Sequence, residues 1–481
     1  MKGHLSYVFA LTACLMLIGC VVQPTNQTNK SPVASPSPSA TASPSPSTAK
    51  AANAGPLTLP VLDAFFADDS FSRSLKTRLQ LTDEQVMRLK ELAHSETAKL
   101  NEDNAGKGEQ EAATARSAAA EKISALIGRE KTEQLAILIG ERWSSAAETS
   151  DKTANEPTNP NNREPIAGPN AVPTDSRIVV NAPAYRMDVF DSGRLIKSYK
   201  IGIGYPQFPL PTGLRKARVI IINPAWTPPD EPWVAKMKDV SAGQKVNAGS
   251  KLNPLGPIKI PIGGPSLIHG GKSPAKLGTF ASHGCVGLTT PQVQDFAKLL
   301  AQLGGAHLTD TQLTDYARDK TKTKQIKLEQ AVPVDLRYET IVVEDGALHI
   351  YRDVYDQETN TEENLRAVLE ANGVRLDDLT EGERTRVFDT LAQMSGKTGA
   401  VRPRSVSKES PFPVASPMSS PSPAERKSNS KKPTGIAKNQ KEIVIEIGAL
   451  QGKGYPPSVA FDTGSGSSAI SRSPPKRGKQ R

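Results

Sequence analysis

Apolar positions in the first third of the chain recur at helical spacing. One face is made by Val86, Leu89, Leu92 and Ala93. Thr82 stands where a capping box would begin this helix, and Gly128 interrupts a later helical stretch. The pattern therefore predicts an all-α region, built around a helical hairpin, over residues 57–150.

Beyond residue 175 the apolar period changes to two, which is typical of strands. "YRMDVF" and "RLIKSYKIGIG" alternate on either side of "DSG" and predict a hairpin, and "TIVVEDGALHIYRD" predicts another that turns at Asp345-Gly346. "PQVQDFAKLLAQLGG" predicts a helix. We therefore expect a mainly-β domain with a packed helix over residues 176–356, followed by a small helical pair over residues 357–398.

Composition separates these regions. Residues 21–56 and 151–175 are rich in proline and small polar residues, and they predict a tether and a linker that bury no core. Residues 399–481 predict a basic, mostly disordered tail, although "EIVIEIGAL" within it is strand-like and has no evident pairing partner. The net charge is +10, and the basic excess is concentrated in this tail. A solvated tail explains the charge more simply than a nucleic-acid partner does.

Residues 1–20 have a short basic start and an apolar stretch that ends in "LIGC", which predicts an export signal. "LIGC" resembles a bacterial lipobox, which implies cleavage before Cys20 and attachment of lipid to it. An ordinary signal peptide cut nearby is the alternative. We expect the protein in the cell envelope, periplasmic and lipid-anchored to a membrane through Cys20.

Cys285 is the one cysteine left after Cys14 departs with the signal and Cys20 takes the lipid. It is either an inert buried thiol or a reactive one. A reactive thiol needs a base nearby, and His269 and His283 are two of only six histidines in the chain. Gly284 allows close backbone approach, so the amides of His283, Gly284 and Cys285 could converge on an oxyanion.

Together these residues resemble the active-site motif of the L,D-transpeptidase catalytic domain, the YkuD family. The resemblance rests on His269-Gly270 followed by "SHGC" at residues 282–285, and it extends through "YKIGIGYPQFPLPTG", "NPAWTPPDE" and "NPLGPIKI". It runs from about Arg177 to Tyr355. One departure is Gly287, where the family usually has arginine or asparagine.

The resemblance implies a role for each residue. Cys285 would attack the carbonyl between the third and fourth residues of a peptidoglycan tetrapeptide stem, with His269 as base. His283 and Gly284 would line the oxyanion side, and Ser282 would help to fix the loop. Substrate binding would involve Gly270, Trp226 and Tyr205. The implied partners are donor and acceptor stem peptides, without metal or organic cofactor, and a protein partner for the helical region is possible.

Several other interpretations are open at this stage. The same site could hydrolyse stem peptides as an L,D-carboxypeptidase, or the chain could be a non-catalytic peptidoglycan-binding lipoprotein. The two histidines and Cys285 could hold zinc, although a convincing fourth ligand is lacking. Trp226 could equally pack in a core. "DTG" at residues 462–464 matches an aspartic-protease motif, but that chemistry needs a second copy, and we find none.

Overall fold

The computed structural model describes residues 57–66, 68–100, 111–145, 168–229, 231–263, 266–395 and 440–462. The predicted signal peptide with Cys20, the tether, most of the linker and much of the basic tail lie outside these ranges. Within them, no helix combines the length and apolar content that a membrane crossing requires.

The predicted helical region is present and contains five helices within the described ranges: α1 (Leu59–Phe66), α2 (Asp69–Arg78), α3 (Asp83–Thr97), α4 (Glu111–Ile127) and α5 (Arg129–Ser145). The expected capping box begins α3, where Thr82 and Gln85 each bond the other's backbone amide. Gly128 separates α4 from α5 with φ of +83°, a conformation that favours glycine. These helices bury a core of their own, which includes Leu62, Phe71 and Leu89.

An eight-stranded sheet forms the centre of the β-rich domain. Its strands are β1 (Arg177–Asn181), β2 (Arg186–Asp191), β3 (Arg194–Lys200), β5 (Gly213–Ile222), β6 (Ile258–Pro261), β7 (Leu267–His269), β9 (Val286–Gly287) and β10 (Lys324–Arg337). Their order across the sheet is β3-β2-β1-β10-β5-β6-β7-β9. β1 pairs in parallel with β10, and β7 with β9, while the other neighbours are antiparallel. The hairpin predicted around "DSG" is confirmed as β2 and β3.

The predicted packed helix is α7 (Thr290–Leu303), which lies against β6 and β10. It starts at a Thr289 capping box with Pro291 in the first turn, and Gly304 is its C-cap. Two shorter helices are α6 (Pro232–Ala235) and α8 (Asp310–Arg318). A separate parallel pair, β4 (Ile203–Gly204) and β8 (Phe280–Ser282), lies beside the main sheet.

A second, three-stranded sheet follows in the chain. It consists of β11 (Ile341–Glu344), β12 (Ala347–Tyr351) and β13 (Glu442–Glu446). The predicted helical pair is confirmed as α9 (Glu362–Ala371) and α10 (Glu381–Met394), and it shares a hydrophobic core with this sheet. β13 is the strand-like segment of the predicted tail, and its partner is β12. The pairing joins residues almost a hundred positions apart, so local pattern did not reveal it.

Arg215 is a charged residue inside the main sheet. It is fully buried on β5, two residues from the core residue Ala217 and therefore on the same face. None of its guanidinium nitrogens has a hydrogen-bond partner among the described residues. Burial lowers the pKa of Arg215 to about 10, because the charged form is poorly solvated there.

We predict that Arg215→Met raises the free energy of unfolding by about 1–3 kcal/mol, because it removes a buried charge that nothing compensates. Arg177 is the matched control, since it is equally buried but forms two hydrogen bonds with Asp175, at 2.6 and 2.7 Å. Arg177→Met should lower stability by about 3 kcal/mol. Urea denaturation of both variants tests this, and a destabilised Arg215→Met would contradict it.

Candidate active site

The pairing of β7 with β9 brings the predicted site residues together. His269, the last residue of β7, is in register with Gly287 on β9. Cys285 immediately precedes β9, and its thiol is hydrogen-bonded to the backbone of Leu267 at the start of β7. The fifteen residues between His269 and Cys285 therefore leave one strand and return beside it.

Ser282 holds the backbone of the cysteine loop. Its hydroxyl accepts a hydrogen bond from the Cys285 amide at 3.0 Å and donates one to the Cys285 carbonyl at 2.6 Å. Gly284 has φ of +89°, and its carbonyl accepts a bond from the Ser266 hydroxyl at 2.9 Å. The Cys285 amide is thus already engaged. An oxyanion bound by the Cys285 amide would share that donor with the Ser282 hydroxyl.

The His269 ring has a defined tautomer. Its Nδ1 lies 2.8 Å from the carbonyl oxygen of Gly270. A carbonyl oxygen can only accept, so Nδ1 carries the proton and Nε2 of the neutral ring keeps its lone pair. His269 is buried, and in this form it can accept a proton at Nε2.

The surroundings favour the uncharged forms of both groups. Burial, with the nearby positive charge of Lys272, lowers the pKa of His269 to about 3. Burial also raises the pKa of the Cys285 thiol above its usual value of 9.0, although the Leu267 backbone and Lys272 act in the opposite direction. At neutral pH the site therefore holds a thiol and a neutral imidazole, and not a thiolate–imidazolium pair.

His283 packs among aromatic rings. It makes edge-on contacts with Phe208 at 4.6 Å and Tyr205 at 5.4 Å between ring centroids. Burial and the charge of Lys272 lower the pKa of His283 to about 3. The ring of His283 is thus neutral at physiological pH and is held in place by Tyr205, one of the predicted substrate-binding residues.

The other two predicted substrate-binding residues occupy different surroundings. Trp226 lines the cavity and is also 8% exposed, packed with Val234, Val240, Val246 and Leu255. Gly270 touches α7, since a Cβ there would lie 2.6 Å from Val293 Cγ1. Gly270 thus allows close packing, and its carbonyl orients His269.

A cavity of about 900 Å³ opens over the thiol. Its walls include Cys285, His269, Ser282, His283, Tyr205 and Trp226. Among the residues that the structure describes, three lysines and one glutamate also line it, namely Lys236, Lys259, Lys272 and Glu231. The predominance of positive charge suits an anionic ligand.

The helical region closes one side of this cavity. Ala64 of α1 lies in the cavity wall. The Lys236 ammonium donates to the Leu100 carbonyl at 2.6 Å, and the Thr58 hydroxyl donates to the Gln207 carbonyl at 2.8 Å. The sequence did not reveal this contact, because helical periodicity does not indicate which surface a helix packs against.

Sequence analysis also missed Lys272, Lys259 and Phe208. A cation directly after "HGG" was the available signal for Lys272. Across the described ranges, no group of three or more His, Cys, Asp and Glu side chains is arranged to hold a metal ion.

Comparison with known proteins agrees with the resemblance seen in the sequence. Residues 175–324 match the family model of the L,D-transpeptidase catalytic domain, YkuD. The chain therefore contains a catalytic domain of the L,D-transpeptidase family. The match spans less than a third of the 481 residues, and among curated proteins none matches the chain.

Solved structures similar to this chain include three L,D-transpeptidases. One from Mycobacterium smegmatis is 14% identical (34% of this chain, 58% of that one; TM-score 0.20). The catalytic domain from E. faecium is 16% identical (35% and 100%; TM-score 0.21). One from Mycobacterium tuberculosis is 12% identical (34% and 57%; TM-score 0.19). The chain thus spans under two thirds of the two mycobacterial proteins.

The uncharged state of Cys285 and His269 predicts how the alkylation rate of Cys285 changes with pH. Alkylation of Cys285 by iodoacetamide, followed by peptide mass spectrometry, should keep accelerating beyond pH 9, because the thiolate fraction keeps rising until the pH exceeds the raised pKa of the thiol. His269→Ala should alkylate at a similar rate at neutral pH. Glutathione alkylated in parallel controls for the reagent. A plateau at about pH 6–7 that His269→Ala abolishes would instead establish a thiolate–imidazolium pair.

Proposed function

We propose that this protein is an L,D-transpeptidase that crosslinks peptidoglycan, or attaches a protein to it, through a Cys285 acyl-enzyme. The observation that carries the proposal is the placement of Cys285 and His269 in one cavity, where Nδ1–H of His269 donates a hydrogen bond to the Gly270 carbonyl. A nucleophile and a neutral imidazole base suit acyl transfer. The family match to residues 175–324 supports the same reaction class.

The first half of the reaction would form a thioester. The Cys285 sulfur attacks the carbonyl carbon between the third and fourth residues of the donor stem while Nε2 of His269 takes the thiol proton. Because the thiol and the imidazole are both uncharged beforehand, the proton moves from Cys285 to His269 during the attack and not in an earlier step. The tetrahedral intermediate then collapses, the C–N bond breaks, and the leaving D-alanine takes the proton from His269.

The second half would transfer the acyl group. An acceptor amine attacks the thioester carbonyl and gives a proton to His269, and the C–S bond breaks to release the new amide. The cysteine sulfur recovers its proton from His269. Water in place of the amine would give hydrolysis, so the exclusion of water and the supply of an acceptor decide between the two activities.

We predict that the full chain, incubated in detergent with disaccharide-tetrapeptide muropeptides, forms crosslinked dimers that lack one D-alanine. Cys285→Ala should form none, and His269→Ala should be slower by about 10²–10⁴-fold because the base is lost. His307→Ala, at an exposed histidine outside the cavity, is the matched control and should retain activity. Mass spectrometry identifies the products.

Three results of that experiment would overturn the proposal. Thiol-dependent tripeptide without dimers would establish the L,D-carboxypeptidase alternative. Full activity in Cys285→Ala would exclude the acyl-enzyme. Binding of peptidoglycan without any thiol-dependent product would favour the non-catalytic lipoprotein.

We also propose that Cys20 anchors the protein to a membrane of the cell envelope, which would place the site beside peptidoglycan. The support is the "LIGC" sequence after an apolar stretch. Metabolic labelling with a palmitate analogue should mark the wild-type protein and not Cys20→Ala, whose mature form should leave the membrane fraction. Cys14→Ala is the control, since that residue departs with the signal. Equal labelling of Cys20→Ala would contradict the proposal.

A further inference from the structure

The side chain of Lys272 lies directly across Gly287. A Cβ built at Gly287 would stand 2.8 Å from Lys272 Cγ and 3.0 Å from Cε, closer than real contacts allow. Both backbones are held, because Gly287 exchanges two hydrogen bonds of 2.9 Å with Gly202, and the Lys272 amide donates to Leu288 at 3.0 Å. Any side chain at residue 287 would therefore displace this lysine.

The lysine's position brings its charge to the reacting groups. Lys272 lines the same cavity as Cys285 and His269. Of the three cavity lysines, it is the one whose charge acts on Cys285, His269 and His283 alike. Lys236, by contrast, donates to the carbonyl of Leu100 in the helical region.

A donor tetrapeptide carries a negative charge close to the bond that the thiol attacks. Its terminal carboxylate is separated from the attacked carbonyl carbon by one nitrogen and one Cα, a span of about 4 Å. A cation in the same cavity as the Cys285 sulfur, across Gly287, can therefore meet that carboxylate when the carbonyl carbon reaches the sulfur. Charged hydrogen bonds of this kind contribute more than neutral ones, and they fix the ligand's orientation.

We propose that Lys272 binds the terminal carboxylate of the donor stem peptide, and that Gly287 is the small residue that makes room for it. The inference rests on the proposed function and deepens it. The inference also accounts for Gly287, which stands where the family usually has arginine or asparagine. In this protein the polar group would come from Lys272, on the loop that follows β7. The donor must then end one residue beyond the attacked bond.

The experiment compares two donors, one with a free terminal carboxylate and one in which the carboxylate is amidated. Wild-type protein should prefer the free donor by about 10–100-fold in kcat/KM. Lys272→Ala should lose that preference because it slows the free donor far more than the amidated one, while Lys272→Arg should keep it. Gly287→Ala should resemble Lys272→Ala, because the new methyl group displaces the lysine.

Matched controls separate this role from a structural one. Lys276→Ala removes an exposed lysine four residues away, outside the cavity, and should change neither donor. Melting temperatures of all variants check the fold. If Lys272→Ala slows both donors equally, the lysine acts on the thiol or on the loop, and the inference is overturned.

A binding measurement distinguishes this inference from the proposed function. In Cys285→Ala, calorimetry should show tighter binding of the free donor than of the amidated one, and adding Lys272→Ala should remove the difference. Lysine-dependent binding without turnover in the wild type would contradict the proposed reaction alone. Turnover with a preference that does not depend on Lys272 would contradict the lysine assignment alone.

Discussion

The parallel pairing of β7 with β9 is the constraint on which the site depends. It places His269 level with Gly287 and puts Cys285 at the edge of the same strand pair. The loop between the two strands must therefore close on itself, and Ser282 holds it closed through both backbone groups of Cys285. A register shift of one residue would turn the side chains of β9 to the opposite face and remove this arrangement.

The electrostatics of the site follow from its burial. Desolvation keeps His269 and the Cys285 thiol neutral, so the protein does not stabilise a separated ion pair in advance. The charge in the cavity resides instead on lysines, and Lys272 is the one placed beside the thiol. Such a site is suited to receive an anionic peptide and to move one proton as a bond forms.

Much of the local structure was predictable from the sequence because its causes are local. Alternation around "DSG" and the capping box at Thr82 depend only on neighbouring residues, and each is present. The His269 and Cys285 motif was also recognisable, since its residue types and order carry chemistry. The β12–β13 pair was not, because hydrogen bonds between distant strands leave no spacing signal.

The sequence by itself therefore determined most of the elements and the catalytic-domain family, and it predicted the candidate site residues. Tertiary structure alone decided the His269 tautomer, the engagement of the Cys285 amide, the helical wall at Ala64 and the path of Lys272 over Gly287. The first two depend on the local path of the backbone around His269 and Cys285. The last two are contacts between residues whose separation in space depends on how whole strands and helices pack. Periodicity records which face of an element is buried, and it does not record what lies against that face.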